Sequence, residues 1–157
     1  MKIGILSDSH DNLPLLKKAV RFFNKKKVGF VLHAGDFVAP FTVQKLSLLT
    51  MPWQGVFGNN DGEKNGLSKI SAARIQQGPL RLRLEGKRVT LVHDLNSINP
   101  HTEKADLIIC GHSHKPQIQK LDTKLIVNPG EAGGWISDKA TVAIVDLDKL
   151  SAKIIKI

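Results

Sequence analysis

The N-terminal part of the chain alternates short unbroken apolar runs with one long stretch at helical spacing. Lys2 to Leu6 reads as a buried strand that stops at Ser7-Asp8-Ser9-His10. Leu15, Leu16, Ala19, Val20, Phe22 and Phe23 then recur at helical spacing as far as Lys25-Lys26-Lys27. Asn12 is placed to cap that helix, and Pro14 falls in its first turn, where a missing N–H costs nothing. Val28 to Leu32 predicts a second strand, ending at His33-Ala34-Gly35-Asp36. A helix is expected from about Pro40 to Leu49, and Trp53 to Phe57 makes a third strand ending at Gly58-Asn59-Asn60-Asp61. This β-α-β-α-β order predicts right-handed crossovers and a parallel core sheet.

The texture then changes. Leu80, Leu82 and Leu84 alternate with Arg81 and Arg83, Glu85-Gly86-Lys87 makes a turn, and Val89 to Val92 returns, which predicts a hairpin with one wet face. Asp106 to Cys110, Gln117 to Leu121, Lys124 to Val127, Ala140 to Val145 and Ala152 to Ile157 predict further short strands. The chain thus reads as α/β at first and mostly antiparallel β later, arranged as two packed sheets with helices outside. No repeat or linker divides it, so residues 1–157 are expected to form one domain.

Composition narrows the chemistry. No apolar run approaches the roughly 20 residues that span a bilayer, and Ile3 to Leu6 is too short for a signal-peptide core, so a cytoplasmic location and no membrane partner are expected. Cys110 is the only cysteine, which excludes an internal disulfide and a thiolate metal cluster; within Leu107-Ile108-Ile109 it reads as a buried structural thiol. The net charge of +9 would attract phosphorylated ligands or nucleic acid, but aromatics are only 5% with no tyrosine, leaving little for stacking on bases. The lysine run is explained by the C-terminal end of its helix.

What remains is oxygen and imidazole chemistry at strand ends. Asp8 with His10, Gly35-Asp36 and Gly58-Asn59 follow the first three strands, and His93 and Gly111-His112-Ser113-His114 follow two later ones. Ligands bind at the carboxyl ends of strands in open α/β sheets. Each residue taken singly has a bland explanation: Asp8 or Asp36 could cap a helix, His33 or His101 could be structural or solvated, and Asn59-Asn60-Asp61-Gly62 could be a turn. Five strand ends carrying ligand-type residues by coincidence is the weaker account. The mixture of Asp, His and amide oxygen suits Mn²⁺, Fe²⁺, Zn²⁺, Ni²⁺ or Co²⁺ in a working site rather than a structural zinc. Six or seven such ligands exceed one open-sided metal and suit two sharing a carboxylate.

These motifs, Asp8-Ser9-His10, Gly35-Asp36, Gly58-Asn59-Asn60-Asp61, His93 and Gly111-His112-Ser113-His114, resemble in order those of calcineurin-like metallophosphoesterases, over Lys2 to about Glu131. The short length and the Gly-Asn-Asn-Asp form are similar to the small prokaryotic phosphodiesterase branch. The resemblance implies a four-layer α/β/β/α sandwich of two mixed sheets and two divalent ions, with manganese favoured over Ni, Fe, Co or Zn. Asp8, His10 and His114 would hold one ion and Asn59, His93 and His112 the other, with Asp36 between them. Asp36, Asn59 and His93 count as catalytic, a hydroxide between the ions attacks phosphorus, and Asn12 and Asn60 are candidates to contact the substrate phosphate.

This sequence departs from that pattern in two places. Asn60 stands where many members carry a histidine that protonates the leaving group, which favours diesters with good leaving groups. His93-Asp94-Leu95 replaces His-Gly-His, and Pro100 interrupts a connection that is often helical in relatives. A small phosphodiester or other phosphate ester is the expected substrate, with nucleic acid and a homodimer as further possible partners. The competing readings are a non-catalytic scaffold, as in the small retromer subunit, and a nuclease. The complete ligand set argues against the first, and the lack of a domain to grip a duplex argues against the second.

Overall fold

The first apolar run is two-sided, and that property organises the structure, a computed structural model describing residues 1–157. In β1 (Lys2–Leu6), Ile3 and Ile5 turn towards a second sheet, while Gly4 turns towards helix α1 (Leu13–Lys26). A Cβ on Gly4 would lie 2.7 Å from the Phe23 ring, so the helix sits directly on the strand because that position has no side chain. β1 pairs in parallel with β2 (Phe30–His33), which pairs in parallel with β3 (Trp53–Val56), which pairs in parallel with β4 (Ile75–Gln76). The C-terminal strands β10 (Thr141–Asp146) and β11 (Ser151–Lys156) add to the other side antiparallel, giving the order β11-β10-β1-β2-β3-β4.

Helix α1 begins as its sequence predicts. Asn12 Oδ1 accepts from Leu15 N at 3.3 Å, and Lys25 and Lys26 lie in the last turn. Helix α2 (Phe41–Leu46) is shorter than the expected Pro40 to Leu49. Beyond Leu46 the bonds tighten to i→i−3, Leu48 N to Lys45 O and Leu49 N to Leu46 O. Helix α3 (Lys64–Ile70) and β4 have no counterpart in the sequence reading, since α3 buries only Leu67 and offers no apolar period. All three helices cover one face of this sheet, where Leu16, Phe23, Val43, Leu46 and Leu67 share a core with Leu6, Val31 and Ile75.

The second sheet runs β5-β6-β7-β9-β8, with β5 (Leu80–Leu84), β6 (Lys87–Leu91), β7 (Leu107–Ile109), β8 (Gln117–Leu121) and β9 (Lys124–Asn128). Its hairpins β5-β6 and β8-β9 are antiparallel, as is β10-β11, so the later half is mostly antiparallel as expected, while β6, β7 and β9 pair in parallel. The physical reason lies in burial: Leu107–Ile109 and Leu125–Val127 are covered on both faces, the condition parallel strands need. Ile3, Ile5, Leu32 and Val56 meet Leu91, Leu107, Ile109 and Val127 between the sheets. The outer face of the second sheet, with Val92, Ile108, Cys110 and Ile126, is covered by Leu95 and Ile98 from the connection between β6 and β7. That layer holds a single 3-10 turn, Leu95–Ser97, where Asp94 accepts from Asn96 N at 2.9 Å. No helix is long and apolar enough to cross a membrane.

Candidate metal centre

The carboxyl ends of β1, β2 and β3 and those of β6, β7 and β9 meet along one edge of the two sheets. Backbone bonds tie the loops together: Asp8 N to Gly35 O, His10 N to Asp36 O and Gly111 N to His93 O. The motif glycines make that closeness possible. A Cβ on Gly58 would collide with the Asp36 carboxylate and backbone, and one on Gly111 with Ser7 and Asp8. Gly35 has φ +100, and a Cβ there would lie 2.6 Å from His93 Nδ1.

Strain marks the same place. Asp8, His10, Asp36, His112 and His114 all hold positive φ, between 41 and 65 degrees. Side-chain-bearing residues adopt that conformation at a cost, and it concentrates where function needs an exact side-chain direction.

The seven sequence-selected residues converge. Asp36 Oδ2 lies 3.5 Å from His10 Nε2 and 3.5 Å from His93 Nε2, so it stands between the two groups. Asp8 Oδ1 is 3.9 Å from His10 Nε2 and 3.6 Å from His114 Nε2. Asn59 Oδ1 lies 2.8 Å from His93 Nε2 and 2.9 Å from His112 Nδ1. Asp8 and Asp36 form a buried floor, His93 is nearly buried, and Asn59 and His112 are exposed, so one side is open to solvent.

The donor and acceptor chemistry fits divalent cations. Asp8 Oδ1 and His10 Nε2 are buried with no hydrogen-bond partner. His93 Nδ1 lies 2.7 Å from the Ala34 carbonyl, an acceptor only, so this nitrogen carries the proton. His93 Nε2 and His112 Nδ1 both face the Asn59 oxygen, gathering three potential ligand atoms at one point. Two ligand atoms each about 2.1 Å from one ion lie roughly 3.0–3.4 Å apart, close to the spacings around Asp8 and Asp36. Burial pushes the Asp8 carboxyl up, against the pull of Ser7 and of His93 and His114.

Surrounding residues hold these side chains in place, and sequence reasoning did not single them out for it. Buried Asp61 accepts from Gly58 N at 2.7 Å, Val38 N at 2.7 Å and Asp36 N at 3.1 Å, clamping two ligand loops together. Buried Glu131 places its Oε1 3.5 Å from His114 Nδ1, outside hydrogen-bond geometry, while His114 Nε2 faces Asp8. Although burial pushes the Glu131 carboxyl up, hydrogen bonds from Ser137, Ile136 and Trp135 outweigh it and hold it below the ordinary range. Their only sequence signal is a carboxylate two or three residues from a motif glycine or asparagine.

Asn12 and Asn60 are engaged differently from the phosphate contacts expected of them. Asn12 caps α1 and donates through Nδ2 to Gly133 O at 2.7 Å. Asn60 donates to both oxygens of Asp36, from its backbone N at 2.8 Å and from Nδ2 at 2.7 Å, leaving each oxygen a second lone pair. His33 lies in the core, stacked on Phe37, with Nδ1 accepting from Gly35 N and Nε2 on Ser9 Oγ at 3.0 Å. Burial, then His93 and His10, holds its pKa well below the usual value, so it stays neutral. His101 is exposed and apart from the centre. Burial pushes the Cys110 thiol up to about 12, with Asp8 and Asp94 adding to it, consistent with an inert structural thiol.

Comparison with known proteins agrees with this geometry. A family model described as the calcineurin-like phosphoesterase superfamily domain matches residues 1–150. The chain is 34% identical to a phosphodiesterase of Methanocaldococcus jannaschii over 157 residues, 95% of each chain. Among solved structures, an archaeal phosphodiesterase superposes with a TM-score of 0.94 at 31% identity, over 100% of both chains. A phosphoesterase of Escherichia coli superposes with a TM-score of 0.78 at 21% identity, also over 100% of both chains, a likeness of fold.

Proposed function

The chain belongs to the calcineurin-like phosphoesterase superfamily, and from that premise we propose that it is a divalent-metal-dependent phosphodiesterase. The observation that carries the reading is Asp36 Oδ2, set 3.5 Å from both His10 and His93 with further acceptor atoms on either side. We assign Asp8, His10 and His114 to one ion, Asn59, His93 and His112 to the other, and Asp36 to both. Two ions held there would neutralise charge on the phosphoryl oxygens and lower the pKa of the attacking water.

The chain's own residues do the rest. Asn60 holds the Asp36 carboxylate, Asp61 holds the Asp36 backbone amide, and the Ala34 carbonyl fixes the proton of His93 on Nδ1. Glu131 sets a carboxylate 3.5 Å from His114 Nδ1. Exposed Asn59 and His112 leave the substrate an approach from solvent. Asn60 cannot donate a proton to a leaving alkoxide, a service typically worth about 10²–10⁴-fold. The reading therefore favours diesters with good leaving groups over alkyl monoesters. Manganese is the favoured ion, from a donor set of hard oxygens and imidazoles without thiolate.

The test uses protein stripped of metal, reloaded with Mn²⁺ or Ni²⁺, and assayed on a chromogenic phosphodiester. Turnover should require metal and should fall by at least about a hundredfold in Asp36→Asn. Full turnover by that variant, or none by the metal-loaded wild type, would count against the assignment.

A further inference from the structure

Two exposed apolar side chains stand out, and one of them is bonded to a loop of the centre. Trp135 is 63% exposed and Ile136 is 73% exposed, more than any other large hydrophobic residue of the chain. They are nevertheless held firmly. Glu131 accepts from Trp135 N at 2.7 Å, Ile136 N at 3.0 Å and Ser137 N at 3.0 Å, and from Ser137 Oγ at 2.9 Å. The same carboxylate lies 3.5 Å from His114 Nδ1. Trp135 Nε1 donates to the carbonyl of His10 at 3.0 Å, so the indole is attached by its edge to a candidate metal ligand. Gly133 N donates to Asp8 O at 2.9 Å, and a Cβ on Gly133 would lie 2.8 Å from Ser9 O. The segment is thus strapped along the loop that carries Asp8 and His10.

An exposed tryptophan costs solvation, and a fixed one gains nothing for the fold from the part left in water. An indole fixed by its N–H with most of its surface in water is a preorganised stacking platform. Two side chains bordered by Ser137, Asp138 and Lys139 are too small a patch for a stable protein interface, which needs roughly 1,000 Å². They match a single aromatic ring.

We propose that Trp135 is the subsite for the leaving group, so that the preferred esters carry an aryl ring on the departing oxygen. This rests on the phosphodiesterase reading and specifies its substrate class. It also offsets the missing acid: an aryl alcohol leaves without needing a proton from the chain.

The test measures binding of two phosphonates that cannot be hydrolysed, benzylphosphonate and methylphosphonate, to the Mn²⁺-loaded full chain by calorimetry. Wild type should bind the benzyl compound roughly tenfold more tightly, the scale of one stacked base. Trp135→Ala and Trp135→Leu should bring the ratio of the two affinities close to one. Trp135→Phe should keep most of it although it loses the N–H to His10, which separates stacking from a latch on the ligand loop. Because Trp53 is buried, quenching of intrinsic fluorescence by benzylphosphonate should report Trp135. Equal binding by wild type, or a preference that survives in Trp135→Ala, overturns the subsite and leaves the phosphodiesterase reading standing. A preference lost as fully in Trp135→Phe as in Trp135→Ala also overturns it. No binding of either phosphonate overturns the subsite, while turnover of the chromogenic diester decides the phosphodiesterase reading separately. A wild-type dimer that Trp135→Ala splits, with the aryl preference unchanged, assigns the pair to a subunit interface instead.

Discussion

At the scale of single residues, space and direction decide the centre. Gly58 does not need positive φ, yet any side chain there would enter the Asp36 carboxylate. Gly58→Ala should therefore lower stability by about 1–3 kcal/mol through overpacking. It should also weaken Mn²⁺ binding, read by thermal melting and calorimetry on the same sample; unchanged binding would mean that Asp36 can move without consequence. Glu131→Gln removes the charge behind His114 and sets an amide NH2 against the backbone N–H groups of Trp135, Ile136 or Ser137. A loss of about 10–100-fold in Mn²⁺ affinity is expected, as for other residues that orient a ligand. The side chains that converge at the centre were legible because their types are rare and clustered at strand ends. Asp61 and Glu131 were not legible as positioning groups, since their partners are backbone amides and a histidine brought near only by folding. Asn12 and Asn60 also have partners within the chain: one caps α1 and straps Gly133, and the other braces Asp36.

At the scale of elements, legibility followed periodicity. α1 has a full apolar stripe, a cap and a basic last turn, and its position was clear from those alone. α3 has one buried residue and β4 spans only Ile75–Gln76, so neither carries a pattern. The parallel pairing of β6, β7 and β9 was also hidden, because an apolar run does not state which strand will lie beside it. The hairpin β5-β6 is joined to the next connection by two forked ion pairs. Arg81 bonds Glu103 at 2.8 and 2.9 Å, and Arg88 bonds Asp106 at 2.8 and 3.2 Å. Arg88 holds the Asp106 carboxyl down at about 2, from 3.8. A depressed acid stabilises the fold above its unfolded pKa and loses that contribution as pH falls through the folded one. Asp106→Asn should thus cost less than about 1 kcal/mol near neutral pH, since the pair is partly exposed. The difference from wild type should shrink below 3.8 and vanish near 2, measured by urea denaturation across pH. A difference that persisted at the lowest pH would assign the effect to packing rather than charge.

At the scale of the whole molecule, two sheets bring loops from both halves of the chain to one edge, and the strain at Asp8, His10, Asp36, His112 and His114 is held there by the packing around it. Metal bound across those loops should stabilise the entire fold. Mn²⁺ at about a hundred times its Kd adds ~2.7 kcal/mol, or roughly 5–10 °C in Tm for a chain of this size. Differential scanning calorimetry with and without a chelator checks this, and an unchanged Tm would indicate that no ion bridges the loops. The sequence by itself determined most of the strands and the main helix, the kind of chemistry and which side chains are candidates to hold metal. Those follow from local spacing and from side-chain types that have few other uses at strand ends. Only the tertiary structure decided which strands are neighbours, which carboxylates brace rather than bind, and that Trp135 stands beside His10. Those relations join residues far apart in the chain, and no local pattern records a contact that exists only after the two sheets have packed.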